Sequence, residues 1–343
     1  METVSTNIFT KRDTTALKGV AICFMLFLHL FNKPYNVDLC TNFLYIGGKP
    51  LVLLLSKFTE ICVPIYLFIS GYGLFTSFQN GKGQKSWKRL LPLWLNYFII
   101  FAIFVPIGSY VFPEAYPGSV KQLVLTLLTY DYNYNGEWWF LFPYFVLVLI
   151  SNPLFKLLNN SNIWTFFILL TAVYYAASLV EVFNRMYLYT HQFAYKPVLI
   201  LKCLYPFGIG AIFAKENIFE AFAKFGHKWL FLLAIPLLIV ARILIPVDKF
   251  TVYIAVAFIV CFAVLKRGRL FDTVLGFLGR HSTNIWLLHT FFCYYLFKNF
   301  IYSFKYPLLI FLVLMTVSII SSYIVDLIYI PINKGLNKIL NRQ

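Results

Sequence analysis

Residues 15–32 read Thr15-Ala16-Leu17-Lys18-Gly19-Val20-Ala21-Ile22-Cys23-Phe24-Met25-Leu26-Phe27-Leu28-His29-Leu30-Phe31-Asn32, with no acid and only Lys18 and His29 as basic groups. A run this long and apolar matches the hydrocarbon thickness of a bilayer. Lys11, Arg12 and Lys18 precede its apolar part as in a signal peptide, but Asn32-Lys33-Pro34-Tyr35 follows, with no small-x-small cleavage site. It reads as a retained first span. Working outward, comparable runs lie near 58–79, 90–112, 138–158, 163–183, 196–214, 228–245, 250–266, 283–301 and 307–332. They are continuous or helix-periodic, not alternating segments of a membrane barrel. The fold expected is all-α, a polytopic membrane protein of about ten spans, with Pro64 breaking a longer helix over 51–79.

Composition agrees. Of 343 residues, 60% are hydrophobic and 12% charged, about half the charged share of an average soluble domain. Mean hydropathy is +0.75. These values exclude an ordinary soluble enzyme, a disulfide scaffold and a disordered chain. The six cysteines form no CxxC pair and sit mostly in apolar runs, so they read as small buried groups, with no metal site. The net charge of +16 would suggest nucleic acid in a soluble protein. Here it sorts by side. With the N-terminus in the cytoplasm, 18 of the 29 Lys/Arg fall on the inner side, against five acids. The positive-inside rule then places both termini in the cytoplasm, with basic inner loops at 80–89 and 266–281. Both the basic face and the apolar runs fit a plasma (inner) membrane protein with no nucleic acid partner. Residues 1–343 read as one membrane-embedded domain without an appended soluble domain.

Five segments hold the polar groups that could do chemistry. His29 lies eleven residues after Lys18, within about 20° of the same helix face and roughly 16 Å along the axis. An ionisable group inside a bilayer is expensive unless it meets a partner or a polar cavity. Two readings stay open: a neutral imidazole bonded to another helix, or a general base in a water-accessible tunnel. In Phe68-Ile69-Ser70-Gly71-Tyr72-Gly73 the small residues permit close helix approach, and Ser70 can bond across helices. Lys85-Ser86-Trp87-Lys88-Arg89-Leu90-Leu91-Pro92 is either a positive-inside signal or a cradle for phosphates, Arg89 offering a bidentate fork. Gly136-Glu137-Trp138-Trp139-Phe140-Leu141 closes this set at the outer side. Its tryptophans read as interface anchors, or as a sugar-stacking surface beside a carboxylate. Finally, Ser282 is expected to cap a helix carrying His289, for which a structural hydrogen bond is the simpler reading. His191, His227 and His281 fall in loops or at helix ends and carry no signal.

Taken in order, these segments resemble membrane-bound acyltransferase family 3. Lys18 and His29 occupy the places of its arginine, ten residues, histidine pattern, with lysine in place of arginine. Phe68-Ile69-Ser70-Gly71-Tyr72 is similar to its F-x-S-G run, and Lys88-Arg89-Leu90-Leu91-Pro92 to its basic stretch before the third span. Trp139-Phe140-Leu141 and Ser282 through His289 resemble two later motifs. The resemblance implies transfer of an acyl group, usually acetyl, from cytoplasmic acetyl-CoA (an acyl-CoA) to a hydroxyl of a cell-surface carbohydrate acceptor, within the lipid bilayer. It implies CoA binding by Lys18, Lys85, Lys88 and Arg89, with the pantetheine arm passing Ser70 and Gly71. His29 would serve as base, Glu137 and Trp139 would orient the acceptor, and His289 would line the substrate channel. A covalent acetyl-histidine is the variant route. A transporter or flippase for a lipid-linked saccharide, without chemistry, is the competing class, though no pair of broken spans marks two inverted halves. A purely structural subunit would leave His29 without a task.

Overall fold

The computed structural model describes residues 9–82, 88–225 and 227–340. Among them, seven helices are long and apolar enough to cross a membrane: Lys11–Phe31, Leu51–Gln79, Leu90–Val111, Gly136–Asn160, Ile163–Phe183, Gln192–Lys215 and Pro307–Leu336. The protein is therefore an all-α polytopic membrane protein. Two further helices, Lys228–Leu244 and Thr251–Val264, fall on expected runs, whereas a third, Arg269–Thr290, meets the run expected at 283–301 only in its last two turns. The first two are short, and the third begins with charged residues.

Helix α1 (Lys11–Phe31) starts on a capping box. The Thr10 backbone N–H donates to Asp13 Oδ2 at 2.9 Å while Thr10 Oγ1 accepts from the Asp13 N–H. The 51–79 stretch splits into α2 (Leu51–Thr59) and α3 (Cys62–Gln79). Pro64 has no N–H with which to bond the Glu60 carbonyl, so the ladder opens there, as the sequence suggests.

By Cα proximity the chain divides into two units: residues 1–24, 57–86 and 143–280, and residues 25–56, 87–142 and 281–343. In the first, α3 crosses α4 (Gln192–Lys215) at near backbone contact. A Cβ on Gly71 would lie 1.8 Å from the Phe207 carbonyl oxygen, and one on Gly210 would lie 2.1 Å from that of Phe68. Only glycine fits such a crossing, the membrane equivalent of a small-residue packing motif. Phe9, Tyr72, Phe213 and Phe219 pack beside it.

The same unit corrects the reading of 266–281 as a basic loop. Helix α5 (Arg269–Thr290) begins there, so Ser282 is buried within a helix instead of capping one. Arg267 pairs with Asp13 and, at 2.7 Å, with Asp272, and its guanidinium lies 4.0 Å from the Phe262 ring centre. Arg12 adds a 3.5 Å pair to Asp272. These acids neutralise charge that sequence assigns to a solvated loop.

In the second unit, a two-residue Gly47-Gly48 turn joins antiparallel strands β1 (Tyr45–Ile46) and β2 (Lys49–Pro50), with Tyr45 opposite Pro50. The core stacks Phe104 on Phe291 at 4.5 Å and sets Trp138 edge-on against Tyr97. Asp326, inside α6 (Pro307–Leu340), accepts from Asn284 Nδ2 at 2.9 Å and lies 3.5 Å from His281 Nδ1. His281 also meets Ser322 Oγ at 3.0 Å. His281 is thus a mid-helix residue holding the Asp326 carboxylate, where the sequence suggests a loop or helix-end position.

Candidate active site

The second unit gathers His29, Glu137 and His289. His29 lies in the last turn of α1. Glu137 sits on a 3₁₀ turn, Gly136–Phe140, that leads into α7 (Leu141–Asn160). His289 closes α5, after which the helix widens into a π-turn over Phe291–Tyr295. Such π-turns frequently mark functional sites.

The 3₁₀ turn is pinned to α5. Asn135 caps it, its Oδ1 accepting from the Glu137 N–H at 3.0 Å and from Thr290 Oγ1 at 2.9 Å. Trp138 Nε1 donates to the Leu287 carbonyl at 2.8 Å, and the Gly136 N–H donates to Tyr295 Oη at 2.8 Å. These bonds fix the backbone of the carboxylate-bearing residue, leaving its side chain to face His29.

His29 Nε2 lies 3.4 Å from Glu137 Oε2, and its Nδ1 lies 3.4 Å from Tyr294 Oη. Tyr294 Oη also lies 3.3 Å from Asn32 Oδ1, so the two acceptors compete for its one proton. An ionised carboxylate only accepts, so Glu137 assigns the proton to His29 Nε2 and leaves Nδ1 with a lone pair.

His289 is buried, with its ring centre 5.2 Å from that of His29. Its Nδ1 lies 2.8 Å from the Trp286 carbonyl and 3.0 Å from that of Ile285. Carbonyls cannot donate, so Nδ1 carries the proton and Nε2 is the acceptor. That Nε2 is buried and, among the described residues, has no hydrogen-bond partner. A buried unsatisfied acceptor is costly, and its position beside a carboxylate–imidazole pair makes it a natural seat for a polar substrate group.

The other expected site residues are distributed. Helix α1 runs unbroken through Lys18, whose backbone carbonyl accepts from Tyr66 Oη at 3.3 Å within the first unit. Ser70 is half-buried on α3. Gly71 packs against the Phe207 backbone, where a Cβ would lie 1.8 Å from the carbonyl oxygen. Lys88 is half-buried and Arg89 exposed at the start of α8 (Leu90–Val111), in the second unit. Lys85 lies outside the described residues. Trp139 is half-buried, edge-on to Phe140 at 5.8 Å, whereas its neighbour Trp138 is a core residue instead of an interface anchor.

Sequence reasoning missed Asn135, Thr290, Tyr294 and Tyr295. The available signal was the Asn135-Gly136-Glu137 order, an N-cap residue two places before an acid. Among the described residues, no cluster of His, Cys, Asp and Glu has the arrangement of a metal site.

Two of these buried histidines, one carboxylate and an apolar surround suit proton transfer to or from a bound hydroxyl. No curated protein and no solved structure matches the chain. A family model described as an acyltransferase domain, Acyl_transf_3, matches residues 14–327, nearly its whole length. This multi-pass membrane protein therefore belongs to the acyltransferase 3 family.

Proposed function

We propose that this acyltransferase moves an acetyl group from acetyl-CoA to a hydroxyl of a cell-surface or lipid-linked carbohydrate, with His29 as general base. The observation that carries the reading is the contact between His29 Nε2 and Glu137 Oε2 at 3.4 Å, next to the unpartnered Nε2 of His289. The arrangement parallels the general triad logic, in which a carboxylate fixes the tautomer of an imidazole whose other nitrogen takes a proton. Here that nitrogen is His29 Nδ1, which Tyr294 Oη approaches to 3.4 Å.

In the reaction, the acceptor hydroxyl oxygen bonds to the thioester carbonyl carbon as His29 Nδ1 takes the hydroxyl proton. The carbon–sulfur bond then breaks, and the proton passes from His29 to the departing CoA sulfur. The products are an O-acetyl ester and CoA with a free thiol, and the imidazole returns to its starting state. General-base assistance of this kind is typically worth about 10²–10⁴-fold. His289 Nε2 accepts a hydrogen bond from a second polar group of the substrate. Trp139 offers ring surface to the acceptor.

Lys88 and Arg89, at the start of α8, neutralise the CoA phosphates from the cytoplasmic side. In this reading residues 1–343 act as one acyltransferase domain in a plasma membrane, with ten spans and both termini in the cytoplasm.

The test is direct. The protein reconstituted in vesicles with acetyl-CoA and an acceptor polysaccharide should release CoA thiol and form alkali-labile O-acetyl ester in equal amounts. Movement of saccharide without thiol release would point to transport and overturn the reading.

A further inference from the structure

We infer that the acceptor is an anionic carbohydrate, bound through Lys33 and Lys298 at the end of α1 that carries His29. The inference rests on the reading of His29 as the base for acyl transfer and names the acceptor class. Beyond Phe31 the chain turns through Asn32 and Lys33 into a short helix, Pro34–Val37. Lys33 Nζ lies 4.7 Å from the ring centre of Tyr294 and 5.8 Å from that of Tyr35. Lys298 Nζ lies 5.0 Å from the ring centre of Tyr35 and 5.8 Å from that of Tyr302. The rings are themselves fixed to the site. Tyr294 Oη is 3.4 Å from His29 Nδ1, and Tyr302 Oη donates to the Leu30 carbonyl at 2.9 Å.

Two ammonium groups thus share the ring of Tyr35, and among the described residues neither forms an ion pair with a carboxylate. Glu137, the acid of the site, faces His29. Asp38, the acid closest in sequence to Lys33, pairs with neither lysine. A ring face holds an ammonium more weakly than a carboxylate or phosphate does, so both lysines keep donors for an anion. Like charges gathered on one ring repel until that anion arrives.

The phosphates of the donor do not fit this position. Lys33 Nζ lies 4.7 Å from the ring centre of Tyr294, whose Oη is 3.4 Å from His29 Nδ1, whereas a pantetheine arm keeps the CoA phosphates far from the thioester. The anion must instead sit close to the reacting hydroxyl, on the acceptor. Tyr35, more than half exposed, and the face of Tyr294 supply surfaces for sugar C–H groups. A uronate carboxylate, or a sulfate or phosphate on a neighbouring position, meets both requirements.

The test compares an oligogalacturonate with its carboxyl-reduced neutral counterpart. Binding of each is measured to the full-length protein in neutral phosphatidylcholine vesicles, without acetyl-CoA. The wild type should bind the anionic oligomer about tenfold more tightly. The double variant Lys33→Gln, Lys298→Gln should lose that preference, and the Lys→Arg pair should restore it. Equal binding of the two oligomers by the wild type, or a preference that survives in the Gln variant, overturns the inference. So does competition of anionic phospholipid vesicles for the same lysines with no effect of sugar charge. Acetyl transfer to both oligomers separates the two readings. Transfer to each at one rate overturns the charge assignment and leaves His29 as base. A lysine-dependent binding preference without any transfer overturns the acyl-transfer reading and leaves the anion site.

Discussion

His29 Nε2 and Glu137 Oε2 stand 3.4 Å apart, His29 in the last turn of α1 and Glu137 on a turn pinned by Asn135 and Tyr295. The pair fixes which nitrogen of the imidazole is free. If Glu137 sets that tautomer, Glu137→Gln should lower kcat by about 10²–10⁴-fold, because an amide can present its N–H to Nε2 and stabilise the wrong form. The KM for acetyl-CoA should change little. Steady-state kinetics on both substrates check this, and an unaltered kcat contradicts it.

Asn135 acts through Glu137. Its side-chain oxygen receives both the Glu137 N–H and the Thr290 hydroxyl. Asn135→Ala should cost about 0.5–2 kcal/mol as a lost cap and reduce kcat while leaving KM near its original value. In a Glu137→Gln background the same substitution should cause almost no further loss of kcat, since both act on one contact. Additive losses would show that Asn135 works elsewhere.

Gly71→Ala tests the helix crossing of the first unit. Its new methyl would meet the Phe207 carbonyl oxygen at 1.8 Å, so α3 and α4 must separate. Overpacking of this kind costs about 1–3 kcal/mol. Gly73→Ala on the same helix meets nothing within 4 Å and should be tolerated. Thermal unfolding of the two variants in detergent should separate them clearly, and equal stability would contradict the packing described.

Cys40 gives a pH-dependent check outside the spans. Burial, aided by the Asp38 carboxylate, pushes its thiol up to about 11. The thiolate is the reactive form. In a variant keeping only Cys40, alkylation by a membrane-impermeant maleimide should be slow near neutral pH and rise steadily as pH approaches about 11. A rate profile levelling off near the ordinary thiol value of about 8.5 would contradict this environment.

Much of this molecule is legible in its residues. The apolar runs locate the helices, because hydrocarbon leaves a spanning chain few other ways to satisfy its backbone. Helix Arg269–Thr290 escapes that reading, since its first turns are charged and Arg267 finds its partner Asp13 only in the fold. His29 and Glu137 stand out as ionisable groups at apolar positions. Tyr294 and Asn135 do not, because tyrosine and asparagine near helix ends are ordinary, and what distinguishes them is a contact between distant segments. The tautomer of His289 depends on carbonyls three and four residues earlier, which matter only once the helix is known to run through them. Gly71 shows the opposite limit. A small residue serves a ligand channel and a helix crossing equally well on paper, and the Phe207 backbone, 1.8 Å from where a Cβ would stand, shows that the crossing alone already requires glycine.

The role of His29 is tested most directly in a single turnover. Wild-type protein and His29→Ala, matched for folding by thermal unfolding, are mixed with labelled acetyl-CoA and acceptor polysaccharide, and ester formation is followed alongside thiol release. The wild type should form ester and free CoA together, and the variant should be slower by about 10²-fold or more in both. Ester formation by His29→Ala at the wild-type rate would contradict the assignment of His29 as base.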